Sequence, residues 1–194
     1  RDDLVTGVQT CALPILSAEV TPQHLILTEE DVERLGTSGK MNPPLRTTAD
    51  VEGLRAALFD GTIDAVATDH APHSPSSKAV DLPDAPPGML GVETMASVIW
   101  NEFVARGLMT PQRFVALLSV SPAAIAGIAR HGAPFAIGVP ANIAIFDPSE
   151  RWVIEPKELQ SKSVNTPWPH KDVQGRVRHT ICNGALVVHH GTLT

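Results

Sequence analysis

Between Thr47 and Gly61 the apolar positions Val51, Leu54, Ala57 and Leu58 recur on one face of a 3.6-residue period. That spacing predicts a helix capped by Thr47 or Thr48 and stopped near Gly61. The next apolar run, Ile63–Thr68, is short and unbroken, the pattern of a buried strand, and Asp69 stands at its end. Upstream, Ser17–Leu27 (SAEVTPQHLIL) alternates loosely and reads as a short strand followed by loop. Thr28 with Asp31 three residues on has the form of a capping box and starts a short helix through Leu35. Glycine and proline make 36–45 a loop, and a long irregular loop is expected from Ala71 to about Leu90.

Three further helices are predicted, over about Glu93–Arg106, Pro111–Leu118 and Pro122–Ala129. The last two are announced by Thr110-Pro111 and Ser121-Pro122, a capping residue followed by proline at the first helical position. From His131 the pattern changes to short β runs: Ala141–Phe146, Arg151–Ile154, Val177–Cys182 and Leu186–His189. Turns are expected at Asp147-Pro148-Ser149, in the proline-rich 166–169 region and at Asn183-Gly184, the strongest hairpin signal in the chain. The chain is therefore expected to divide near residue 130, with an α/β portion at 17–130 and a β-rich portion at 131–194. Arg1–Leu16 (RDDLVTGVQTCALPIL) has neither period and no signal-peptide organisation. It resembles translated adapter read-through and is set aside as non-native, the alternative being a genuine strand and loop.

Composition narrows the function classes. With 194 residues and 43% hydrophobic content the chain has material for one core. A net charge of −6 argues against a nucleic-acid footprint, and no apolar run approaches the roughly 18 residues of a membrane span. Two cysteines, Cys11 and Cys182, make no disulfide framework, which favours a reducing cytoplasm.

The chemistry concentrates in AVATDHAPH (65–73), an apolar strand that ends in one carboxylate and two imidazoles. Two readings fit Asp69: a strand-end carboxylate that binds a divalent metal and passes a proton, or a cap on the following turn. His70 and His73 are three apart across a proline and are not a helical metal pair; His70 reads as a supporting imidazole, His73 as a substrate contact or an exposed histidine. Asn42 in MNPPLR reads first as a turn cap. The PPGML run offers backbone amide at Gly88 to a polar ligand. His189-His190 resembles a metal pair only superficially.

Together KMNPPLR (40–46), DGTIDAVATDHAPH (60–73) and APPGMLGVET (85–94) resemble the bacterial dihydroorotases of the amidohydrolase superfamily. EVTPQHLILTEEDV (19–32) precedes them in the expected order, and SKSVNTPWPH (161–170) and RVRHTICNG (176–184) resemble the family's closing segments. The resemblance implies an α/β fold: the C-terminal part of a metal-dependent (β/α)8 barrel plus part of a small β-sandwich. It implies reversible cyclisation of N-carbamoyl-L-aspartate to L-dihydroorotate, with one or two Zn2+ ions in the full-length enzyme. Asp69 matches the aspartate that ligates zinc and shuttles the proton. Asn42, His73 and the Pro87-Gly88 backbone match substrate contacts, with proline at 87 where the family usually has phenylalanine. Gln23 stands where the family often has histidine. The family's remaining metal ligands, including its His-x-His, have no counterpart here, and a catalytic zinc needs three protein ligands; the chain alone is expected to be inactive. A hydantoinase or allantoinase, or a non-catalytic partner of aspartate transcarbamoylase, stays open as an alternative. A homodimer or association with that enzyme is implied for partners.

Overall fold

The computed structural model describes residues 16–128 and 130–194. The reading of Arg1–Leu16 as non-native thus falls, but for Leu16, outside the described residues.

The first strand, β1 (Glu19–Val20), leads directly into helix α1 (Pro22–Ile26). The expected loop here is a helix because Thr21 caps it: its side chain accepts the His24 N–H at 3.2 Å, and Pro22 fills the first helical turn. Helix α2 (Asp31–Leu35) follows, with Asp31 accepting the Thr28 N–H at 3.0 Å, and a single 3-10 turn covers Gly36–Gly39. Helix α3 (Thr48–Asp60) carries a complete capping box between Thr47 and Asp50 and ends at Gly61 in the left-handed conformation. Val51 and Leu58 are its buried positions, and Leu54 and Ala57 pack partly buried against the same core.

Strand β2 (Ala65–Val66) pairs in parallel with β1, Val20 opposite Val66. The crossover between them holds α1 to α3, as a parallel pair requires. Beyond β2 the chain does not stay irregular: Ser74 caps a one-turn helix, α4 (Pro75–Lys78). Helix α5 (Met95–Ile99) continues into a wider turn over Trp100–Val104, where the Ala105 N–H reaches the Trp100 carbonyl five residues back at 2.9 Å. Helix α6 (Pro111–Val115) widens in the same way over Ala116–Val120 and runs on into α7 (Ser121–Ile125).

The rest is an antiparallel sheet in the order β3 (Ile143–Ile154), β4 (Lys171–Cys182), β5 (Ala185–His189), β6 (Thr192–Leu193). The two β runs expected at 141–146 and 151–154 are one strand, because the Asp147–Arg151 stretch is absorbed as an irregularity in the pairing with β4. The Asn183-Gly184 hairpin forms with both residues at positive φ, 49° and 84°. His190-Gly191 repeats that geometry at 50° and 79° and turns β5 into β6.

Two apolar clusters hold the layers together. One joins Val20, Leu58, Ile63 and Val66 to Ile99, Phe103, Phe114 and Leu117 of the helices. The other joins Met41, Leu45 and Met89 to Ile154, Trp168 and Val173, so the antiparallel sheet and the β3–β4 connection pack against the loops that follow β2. None of the described helices is long and apolar enough to cross a membrane.

Candidate functional site

The strand expected over Ile63–Thr68 is only Ala65–Val66, and Asp69 lies three residues beyond it at φ 48°, in the left-handed region where an aspartate is one of the few non-glycine residues tolerated. Such a conformation stores of order 1–3 kcal/mol and persists only where the surroundings impose it. Here they do. The next residue, His70, bridges in parallel to Met89, and the Ala71 N–H donates to the Met89 carbonyl at 2.8 Å. The carboxylate of Asp69 is thereby turned to an exposed position at the strand end.

The two histidines have different duties. His70 Nδ1 accepts the Gly91 N–H at 3.1 Å, which places the ring proton on Nε2 and leaves no lone pair on the neutral ring for a metal. His73 Nε2 donates to the Pro87 carbonyl at 2.9 Å, so Nδ1 is the nitrogen left for a ligand. Glycines permit this close approach. A Cβ on Gly88, whose φ is 127°, would lie 2.5 Å from the Ala71 Cβ and 3.1 Å from His73 Nε2; one on Gly91 would lie 2.9 Å from the Thr68 Cβ.

Asn42 is exposed between buried Met41 and Leu45, so its loop is anchored on both sides. His24 Nε2 adds a hydrogen bond to the Pro43 carbonyl at 3.0 Å. The same loop meets the Pro87-Gly88 segment, because the Gly88 N–H donates to the Lys40 carbonyl at 2.8 Å. This corrects one expectation: the Gly88 amide is not free to receive a ligand, since the 36–41 segment already takes its proton. Gln23, where the resembled family often carries histidine, is buried and donates to the Thr68 carbonyl at 3.1 Å, steadying the segment after β2 one residue before Asp69.

Four residues that sequence reasoning passed over complete the scaffold. Lys78, only 8% exposed, projects from α4 and donates to the carbonyls of Thr37 (2.9 Å), Pro86 (2.8 Å) and Gly88 (3.0 Å). Lys40 does the same for Leu82 (2.8 Å) and Pro83 (2.7 Å). Asn165 and Ser163, from the β3–β4 connection, reach the Ala71–His73 segment. The Ser74-Pro75 cap was a legible signal for α4 and hence for the direction of Lys78; for Asn165 no local signal exists.

Burial, then the charge of Lys40, push the Lys78 ammonium below its ordinary value of 10.5. Between the lowered folded value and 10.5 the unfolded chain binds more protons, so folding stability rises with pH through that window. Lys78→Met removes this rise and strands carbonyls of the loop, with an expected loss of about 1–3 kcal/mol near neutral pH. Thermal denaturation as a function of pH checks both effects.

Among the described residues no group of three or more histidine, cysteine, aspartate or glutamate side chains is arranged to hold a metal ion. His189 and His190 stack with His179 at ring-centroid distances of 4.3–5.2 Å at the β4–β5 end of the antiparallel sheet. The Asp69 carboxylate therefore fits a divalent cation as a single ligand, one wall of a site. The arrangement can supply a carboxylate for proton transfer, an imidazole and an amide for a polar substrate, and a rigid loop between them.

The chain matches the amidohydrolase family over residues 3–187. It is 45% identical to a dihydroorotase of Anaeromyxobacter dehalogenans over 177 residues, which is 90% of this chain and 40% of that protein. It is 43% identical to a dihydroorotase of Streptomyces coelicolor, over 92% of this chain and 42% of the relative. Among solved structures, a D-hydantoinase (dihydropyrimidinase) from Thermus sp. superposes with a TM-score of 0.87 at 25% identity, covering 99% of this chain and 43% of that one. An L-hydantoinase from Arthrobacter aurescens gives a TM-score of 0.84 at 26% identity, over 92% and 40%. The chain thus spans about 40% of the length of the curated relatives it matches.

Proposed function

The chain belongs to the amidohydrolase family, and from that premise we propose that it is the C-terminal part of a zinc-dependent dihydroorotase that interconverts N-carbamoyl-L-aspartate and L-dihydroorotate. On this reading residues 17–130 form the closing portion of a (β/α)8 barrel, and residues 131–194 contribute to a small β-sandwich. The observation that carries the reading is the strand-end cluster: Asp69 held outward in a left-handed conformation, with His73 fixed on Pro87 and the Asn42 loop fixed through Lys40 on Gly88. The identity to dihydroorotases over nine-tenths of the chain supports the same substrate.

Asp69 is the residue of this chain that would hold zinc, and the remaining ligands belong to the rest of the protein. Zinc, when bound, supplies Lewis acidity toward the ring amide carbonyl. In the hydrolytic direction Asp69 takes the proton of the attacking water and delivers it to the leaving ring nitrogen; in the cyclising direction it carries the proton back. Asn42 and His73 meet the substrate's carboxylate or ring amide and fix its orientation. Pro87 and Gly88 act as the wall that sets the His73 ring.

A second reading has its own support. The solved structures named above are hydantoinases, and a five-membered cyclic amide asks for the same carboxylate and metal. A chimera decides between them: residues 17–194 joined to the N-terminal portion of the Anaeromyxobacter dehalogenans relative and loaded with zinc. The expected result is turnover of dihydroorotate and cyclisation of N-carbamoyl-aspartate. A folded, zinc-loaded chimera that opens hydantoin or allantoin and leaves dihydroorotate untouched moves the assignment to the second reading. One that opens none of them points to a non-catalytic homologue.

A further inference from the structure

We propose that the connection between β3 and β4 is itself part of the substrate site, with Asn165 as the positioning residue that joins the two loops around His73. The proposal rests on the reading above only for the identity of the substrate. Asn165 is 3% exposed, and its side chain uses both amide donors and its oxygen on the two loops. Nδ2 donates to the Ala71 carbonyl at 3.0 Å and to the Gly88 carbonyl at 3.1 Å. Oδ1 accepts the His73 N–H at 3.2 Å and faces the Ser163 hydroxyl at 2.6 Å. The backbone carbonyl of Asn165 accepts the Leu90 N–H at 3.1 Å.

The partners decide the function. Both backbone polar groups of His73 end on this connection, its N–H on Asn165 and its carbonyl on the Ser163 hydroxyl. Beyond that, the loops touch through the Ala71–Met89 backbone bond, the Gly91 N–H on the His70 ring and the His73 ring on Pro87, none of which holds the His73 peptide itself. The connection is fastened in turn. The Glu93 carboxylate accepts the Gln160 N–H at 2.7 Å and the Ser161 N–H at 3.0 Å, and Trp168 is buried in the core beyond.

The chemistry is specific to an amide. Aspartate would set an oxygen against the carbonyls of Ala71 and Gly88, and a short apolar side chain would leave the loops with nothing between them. Asn165 touches no reacting atom on this account; it acts through the placement of His73.

The test uses the zinc-loaded chimera with Asn165→Ala, Asn165→Asp and, as a comparator, Val173→Ala, which opens a cavity in the apolar cluster beside the same connection. For both Asn165 variants KM for dihydroorotate is expected to rise about tenfold or more while kcat changes less than about threefold. The His73 and Leu90 amides should lose about tenfold in hydrogen-exchange protection. Val173→Ala should lower Tm and leave KM in place. Should Asn165→Ala not fold, Ser163→Ala removes a single link and is expected to raise KM about threefold. Unchanged exchange at His73 and Leu90, or a KM that follows Tm alike in the Asn165 and Val173 variants, overturns the proposal. A chimera inactive on dihydroorotate sinks the substrate assignment, yet the exchange measurement still decides the role of Asn165.

Discussion

Asp69→Asn in the zinc-loaded chimera is expected to lower dihydroorotate turnover by about 10³-fold or more, while the melting temperature stays near that of the parent. Asparagine has the same shape and shares the tolerance for left-handed backbone, so the φ of 48° at this position can be kept. What it lacks is the charge and a basic oxygen that can take up and release a proton. General acid–base catalysis by a positioned group contributes typically 10²–10⁴-fold, and the loss of an anionic ligand adds to that. Steady-state kinetics with zinc content and circular dichroism on the same samples separate the two contributions. Turnover within a few-fold of the parent would leave the strand-end carboxylate as a turn cap.

Gly88→Val is expected to damage both stability and substrate binding. The added Cβ meets the Ala71 Cβ at 2.5 Å, well inside contact distance, and the φ of 127° is one that side chains rarely adopt. Overpacking and backbone strain together amount to about 3 kcal/mol or more. The relief available is to push Ala71 and the His73 ring away, which breaks the bond from His73 to the Pro87 carbonyl. A lower Tm with a raised KM is therefore expected, whereas Gly53→Ala, on the exposed face of α3 where an added Cβ meets nothing within 4 Å, should leave KM alone.

The contrast between what the chain announced and what it withheld follows the range of the forces involved. Helix α3 was legible because the Thr47–Asp50 box, the Val51–Leu58 stripe and Gly61 are all local and agree. The Asn183-Gly184 hairpin was legible for the same reason. Helices α1 and α4 were missed although Thr21-Pro22 and Ser74-Pro75 carry the very signal that marks Thr110-Pro111. They are only five and four residues long, too short for an apolar period to show. At the site, Asp69 and His73 stood out by position after a strand and Gly88 by its place in the PPGML run, and the resemblance gave Asn42 and Pro87 their substrate roles. Lys78 and Asn165 could not be found that way. Asn165 reaches the Ala71 carbonyl 94 residues off, and Lys78 joins the Thr37 carbonyl 41 residues back to those of Pro86 and Gly88 eight and ten residues ahead; nothing near Asn165 in SVNTPW distinguishes it from a turn residue. The Gly88 amide was misjudged for a related reason, since its acceptor, the Lys40 carbonyl, lies 48 positions earlier in the chain.

The reach of Asn165 back to Ala71 also bears on biosynthesis. A polypeptide leaving the ribosome has made its acidic residue at 69 long before position 165 emerges, and until then His73 has no backbone partner to seat it. The seat of His73 is thus completed by a contact of high sequence separation, the kind whose loop-closure cost places it late in folding rather than early.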